Sequence, residues 1–153
     1  MIKPREIPTI LYAEDDPNDI ALCKAAREEA QVQFEFRFVL DGLQLMDYLG
    51  RKGKFADTLK FPSPELILLD LSIPGKSGQE CLREIKQNPE TRAIPVVIFS
   101  TCNEASVIRT MYESGAASYI VKPMHFLELI EVWETLDRYW FKTSILPDLG
   151  LAM

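Results

Sequence analysis

The sequence predicts an α/β protein, a doubly wound (βα)5 domain built on a five-stranded parallel sheet. Three observations predict it. Short apolar runs of strand length recur five times, each followed by a helix-length amphipathic stretch. The links between them are mostly short, as in strand–helix–strand crossovers of one hand. The runs ELILLD and IPVVIFS are apolar at nearly every position, the pattern of strands buried on both faces beneath helices.

In order, IPTILYA (Ile7–Ala13) is the first strand, and Asp16-Pro17 opens a helix running to about Ala30. Asp16 reads as its N-cap, with proline at the first helical position. FEFRFVL (Phe34–Leu40) alternates and is the second strand, and Asp41-Gly42 leads into the short helix LQLMDYLG. ELILLD (Glu65–Asp70) is the third strand, followed by the helix GQECLREIKQN, which Pro89 closes. IPVVIFS (Ile94–Ser100) is the fourth, and the helix NEASVIRTMYES after it is capped by Gly115. ASYIVK (Ala117–Lys122) is a short fifth strand, and the longest helix runs from Met124 to about Phe141. For five such units the common strand order is 2-1-3-4-5, the flavodoxin-like arrangement.

The 153 residues suffice for one domain and one sizeable core. The balance of 17 basic against 23 acidic residues gives a net charge of −6, and no basic stripe is present, which argues against nucleic-acid binding. No apolar run is long enough for a membrane span, and MIKPREIPTI lacks the apolar core of a signal peptide, so a cytoplasmic location is expected. Cys23, Cys81 and Cys102 form no paired spacing and read as reduced, mostly buried side chains. The connection from Gly50 to Pro64 carries Arg51, Lys52, Lys54 and Lys60 against the single acid Asp57. It reads either as a solvated surface loop or as a partner-contact loop.

Ligands of open α/β sheets bind beyond the carboxyl ends of the strands, at the switch point between the first and third. There the sequence places Glu14-Asp15-Asp16, Asp70, Ser100-Thr101 and Lys122-Pro123. Converging carboxylates repel unless a cation neutralises them, and Mg²⁺, with Mn²⁺ able to substitute, suits such oxygen ligands. A metal, a lysine and a hydroxyl around one free carboxylate make a site for a phosphoryl group on that carboxylate. Taken singly each residue has a structural explanation. Four strand ends converging on one volume do not.

The motifs ILYAEDD, ILLDLSIPGKSG, IPVVIFST and SYIVKP resemble, in order and spacing, the receiver domain of two-component response regulators. EDDPND, the basic loop and YIVKPMHF further resemble the stand-alone phytochrome-type members. The resemblance implies a phosphoacceptor at Asp70, with Mg²⁺ held by Glu14, Asp15, Asp70 and the backbone carbonyl of Ser72. It implies a switch hydroxyl at Ser100, a phosphoryl-binding Lys122, a rotating aromatic at Tyr119, and a cis peptide before Pro123. Thr101 would point away from the site. The partner implied is a sensor histidine kinase, and the protein would be a signalling switch rather than a metabolic enzyme. Residues 7–141 form the receiver in this reading and 142–153 a short tail, with no output domain expected.

In the last helix, apolar residues spread over about 240° at ~100° per residue, far beyond the stripe a surface helix needs. The surplus predicts a homodimer surface including Trp133, Leu136 and Trp140. His125 reads as a helix-start residue. Rival classes fit less well. A flavodoxin would need a phosphate-binding loop where EDDPND stands, and a dehalogenase-type Mg²⁺ phosphatase expects DxDxT where Asp70 is followed by Leu-Ser-Ile. A phosphorylation-independent pseudo-receiver would not need Asp15, Asp70, Ser100 and Lys122 together.

Overall fold

The computed structural model of the protein describes residues 7–148. Five strands, β1 (Thr9–Ala13), β2 (Glu35–Val39), β3 (Leu66–Leu69), β4 (Val96–Ser100) and β5 (Ser118–Val121), alternate with five helices. These are α1 (Pro17–Glu29), α2 (Gly42–Leu49), α3 (Gly78–Gln87), α4 (Ala105–Glu113) and α5 (Phe126–Leu136). Every strand pairing is parallel, and the order is 2-1-3-4-5, as the sequence predicts.

The continuous apolar runs are explained by two cores, one on each face of the sheet. Leu11, Ala13, Ile67, Leu69, Val96 and Ile98 pack with residues of α2, α3 and α4. Their alternate neighbours Ile10, Tyr12, Leu66, Leu68, Val97 and Phe99 pack with residues of α1 and α5. With a side-chain period of two, both faces must be apolar when both are covered.

Local chemistry sets the helix starts. Asp16 accepts the Asn18 N–H at 2.8 Å and Asp41 accepts the Gln44 N–H at 2.8 Å. Ser77 Oγ accepts the Glu80 N–H at 3.2 Å and donates its own hydroxyl to Glu80 Oε1 at 3.2 Å. A Cβ on Gly42 would collide with the Lys76 carbonyl, so glycine lets α2 seat against the β3–α3 loop.

The basic connection between α2 and β3 is neither loose nor wholly solvated. A 3-10 turn (Gly53–Ala56) buries Phe55, which stacks with Tyr48 and Phe61. The Arg51 guanidinium donates to the carbonyls of Phe55 and Phe61 and to Ser63 Oγ. Lys52, Lys54 and Lys60 remain exposed.

The last helix departs from expectation. It is α-helical only to Leu136, and Asp137–Thr143 continues as a π-helix. The buried Asp137 carboxylate accepts the Gln33 N–H at 3.2 Å and pairs with Lys142 at 3.0 Å. The apolar arc is wide because α5 is apolar on two sides: Leu129, Trp133 and Leu136 face the core, while Phe126 and Leu127 face outward. Trp133 and Leu136 are therefore not surface residues. They are buried among Tyr12, Phe99 and the residues of α1, and Trp140 is half-buried against the same cluster. The apolar side chains that α5 and its approach do expose are Met124, Phe126 and Leu127.

Candidate functional site

The sheet register brings the chemistry together. Ala13 lies opposite Leu69, so the next residues, Glu14 and Asp70, leave adjacent strands at the same level. Ser100 lies opposite Val121, and the Lys122 backbone N–H donates to the Ser100 carbonyl at 2.8 Å. Parallel pairing thus turns four sequence-distant strand ends into one pocket.

Lys122 is its centre. Its ammonium donates to Glu14 Oε1 at 2.6 Å, to Asp70 Oδ2 at 2.7 Å and to Asp19 Oδ2 at 3.1 Å. Asp70 Oδ1 accepts the Ser72 backbone N–H at 2.9 Å. Glu14 Oε2 accepts the Asp16 N–H at 3.1 Å, and the Tyr12 hydroxyl lies 3.4 Å from Oε1. Glu14 and Asp70 are buried, at 1% and 5% exposure.

Burial pushes the Glu14 carboxyl up; the hydrogen bond from Lys122 opposes this, and the neighbouring Asp70 adds to it. For Lys122 burial works downward, but the hydrogen bonds and charges of Asp70 and Glu14 outweigh it and hold the ammonium above the usual lysine range. Carboxylate oxygens of Glu14, Asp19 and Asp70 lie within 4.8 Å of one another. Three carboxylates face one ammonium, so the pocket keeps an excess of negative charge in a partly dehydrated setting. All-oxygen donors with excess negative charge fit a hard divalent cation, Mg²⁺ or Mn²⁺.

The switch residues are also in place. Ser100 is buried, and its Oγ accepts the Cys102 N–H at 3.2 Å. The Tyr119 hydroxyl donates to the Cys102 carbonyl at 2.6 Å. Ser100 and Tyr119 thus meet on the Cys102 backbone, and burial raises the Tyr119 pKa. Thr101 is exposed, away from the pocket. His125 occupies the N-cap position of α5 and acts through its backbone, its carbonyl accepting the Leu129 N–H at 3.2 Å.

One sequence expectation needs revision, and one residue of the cluster lies outside those expected. The bond before Pro123 is trans, the isomer favoured for X–Pro, and Lys122 reaches all three carboxylates without a cis turn. Asp15 is exposed and is not one of the three carboxylates gathered on Lys122, so the resting contacts neither place it on a cation nor remove it from one. Asp19, on the first turn of α1 and not at a strand end, completes the cluster. The signal was legible in DPND: an Asp16 N-cap fixes where α1 starts and places Asp19 on its first turn, at the same carboxyl edge.

Fold and site define a doubly wound α/β domain with an acidic, lysine-centred pocket at its switch point. The response regulator receiver domain family matches residues 10–134, and the chain belongs to that family. It is similar to the response regulator Rcp1 of Synechocystis sp. (strain PCC 6803), 33% identical over 138 residues and spanning 90% of this chain and 92% of Rcp1. A solved structure of Rcp1 in an Mn²⁺-bound form superposes with a TM-score of 0.80, covering 92% of this chain and 99% of that one at 33% identity. The response regulator RPA3017 in red light signalling of R. palustris is 33% identical, with a TM-score of 0.89 and coverage of 93% and 99%. The phosphorylated cyanobacterial phytochrome response regulator RcpA is 34% identical, with a TM-score of 0.83 and the same coverage. The chain is thus a receiver of the two-component type, homologous to phytochrome response regulators. Among the described residues no helix is long and apolar enough to cross a membrane.

Proposed function

We propose that this protein is a phosphoacceptor in a two-component relay, taking a phosphoryl group from a phytochrome-type sensor histidine kinase onto Asp70. The observation that carries the reading is a buried carboxylate at a strand end, 2.7 Å from the ammonium of Lys122, with the buried Ser100 at the end of the adjacent strand. Similarity to RcpA and RPA3017 supports the choice of kinase class.

In the reaction, a carboxylate oxygen of Asp70 attacks the phosphorus of a phosphohistidine. The P–N bond breaks, and the imidazole of the donor leaves with its electron pair. Glu14, Asp70, Asp15 and the Ser72 carbonyl would hold Mg²⁺, which supplies charge stabilisation for the transferred group. Lys122 holds positive charge against the phosphoryl oxygens. Ser100 then donates its hydroxyl to one of them, and Tyr119 follows Ser100. The result is an altered surface on α4, β5 and α5, a two-state element biased by a local charge change. The signalling unit spans residues 7–141, acts by protein contacts in the cytoplasm and turns over no metabolic substrate. Homodimerisation through the last-helix region remains part of the proposal, resting on exposed Met124, Phe126 and Leu127 instead of Trp133 and Leu136.

The test is incubation with Mg²⁺ and acetyl phosphate, comparing the intact protein with Asp70→Asn. Hydroxylamine-labile label that requires Asp70 supports the reading. Label that persists in the variant, or never forms in the intact protein, overturns it.

A further inference from the structure

An ammonium has three N–H donors and no more. In the resting protein all three of Lys122 have a carboxylate partner: Glu14, Asp19 and Asp70, at 2.6, 3.1 and 2.7 Å. The donor now on Asp70 can pass to a phosphoryl group there, but such a group brings several acceptor oxygens, and a second donor can turn to them only if another bond is released. The three bonds are not equally easy to release. Glu14 is 1% exposed, and without Lys122 it would keep only the Asp16 N–H and the long Tyr12 hydroxyl contact, losing its one charged donor where water cannot replace it. Asp70 is itself the residue being modified. The Asp19 side chain is 39% exposed, so water can take over its oxygens, and its bond to Lys122 is the longest of the three.

Asp19 is also held in place independently of Lys122. The Asp16 cap accepts the Asn18 N–H at 2.8 Å, and the Ile20 N–H donates to the Asp16 carbonyl at 3.0 Å. With Pro17 at the helix start, the first turn of α1 is rigid, and Asp19 on that turn presents its carboxylate across 103 residues of chain to β5.

We propose that Asp19 is a positioning residue that holds the third donor of Lys122 in the resting state and yields it to the phosphoryl group. Asp19 competes with the phosphoryl group for Lys122 and so sets a threshold for switching. The inference rests on the phosphoacceptor reading of Asp70.

Beryllofluoride, a stable analogue of the phosphoryl group on a carboxylate, separates the two by calorimetric titration at saturating Mg²⁺. Asp19→Ala and Asp19→Asn should bind it about two- to fivefold more tightly than the intact protein, the scale of a partly exposed ion pair. Asp19→Glu, which restores a carboxylate, should return the affinity toward that of the intact protein, a rescue that a purely structural role would not produce. Unchanged affinity in both Ala and Asn variants overturns the inference alone. Weakened affinity also overturns it and assigns Asp19 to the cation-holding set instead. Failure of the intact protein to bind beryllofluoride overturns the phosphoacceptor reading, and this inference with it.

Discussion

Trp133 donates its indole N–H to the backbone carbonyl of Cys23 at 3.2 Å. The bond joins α5 to α1, and the ring packs edge-on near Tyr12 and Phe36 and tilted against Phe99. Tyr12 in turn approaches Glu14, so the aromatic core beneath the sheet edge supports the floor of the acidic pocket.

Trp133 therefore belongs to stability and not to assembly. Trp133→Ala should cost about 3–5 kcal/mol in denaturant unfolding, the usual scale for a buried aromatic truncated to alanine. Leu127→Asp, on the exposed side of α5, should leave unfolding within about 0.5 kcal/mol of the parent while reducing self-association in sedimentation velocity. A Trp133→Ala protein of unchanged stability would contradict the buried placement. An unshifted sedimentation profile for Leu127→Asp would remove this face from the proposed dimer.

The pocket should also titrate. Burial raises the Glu14 carboxyl above its ordinary value, so in the window just above the usual glutamate range the folded chain binds more protons than the unfolded one. Stability contributed by that proton is present at low pH and is lost as pH rises through the folded value. A divalent cation competes for the deprotonated form, so it compensates most where the proton has gone. Saturating Mg²⁺ should raise the melting temperature more at about pH 8 than at about pH 5. In Glu14→Gln the difference between the two pH values should shrink. Equal Mg²⁺ shifts at both pH values in the intact protein would count against Glu14 as a ligand.

The fold was legible because periodicity and strand-end chemistry are local signals. ELILLD and IPVVIFS could only be two-sided strands, and the paired β1 and β3 brought Glu14 and Asp70 together as the order 2-1-3-4-5 requires. What escaped the sequence were features set by tertiary packing. The π turn after Leu136 depends on the buried Asp137 and its partner Gln33, 104 residues away. The docking of Phe55 depends on Tyr48 and Phe61 meeting it, which no charge count over Gly50–Pro64 discloses. Asp19 is the partial case: DPND places it on the first turn of α1, but its bond to Lys122 is set by the folded register.

Arg51 is the clasp of the connection between α2 and β3. It has a positive φ of 58°, a conformation that costs a non-glycine residue energy and persists only where contacts hold it. Those contacts are its bonds to Phe55, Phe61 and Ser63, with the guanidinium 5.7 Å from the Tyr48 ring centre. Arg51→Ala should destabilise the fold by about 1–3 kcal/mol, because it frees carbonyls that a charged donor now satisfies. Limited trypsin digestion should then cut faster at the exposed Lys52, Lys54 and Lys60. Arg51→Lys should not rescue it, since a point charge cannot reproduce the planar fork. Unchanged cleavage in Arg51→Ala would show that the aromatic cluster alone holds the segment.

The three thiols should separate by reactivity. Burial pushes the Cys23 thiol up to about 12, with the Tyr12 hydrogen bond opposing, and the Cys81 thiol up to about 11. The thiolate is the reactive species, so at about pH 8 both are almost wholly in the unreactive form as well as shielded. Cys102 is only half-buried. It lies in the segment joining Ser100 to α4, with its N–H donating to Ser100 Oγ and its carbonyl accepting from Tyr119. A maleimide should therefore modify one thiol per native chain quickly, at Cys102 by peptide mapping, and the other two only on unfolding. Because Ser100 and Tyr119 both grip the Cys102 backbone, beryllofluoride with Mg²⁺ should change the rate at Cys102 while leaving Cys23 and Cys81 protected. Rapid labelling of Cys23 in the native protein would contradict the closed packing between α1 and α5. A Cys102 rate unmoved by the analogue, in protein shown to bind it, would mean the switch pair does not carry the signal through this segment.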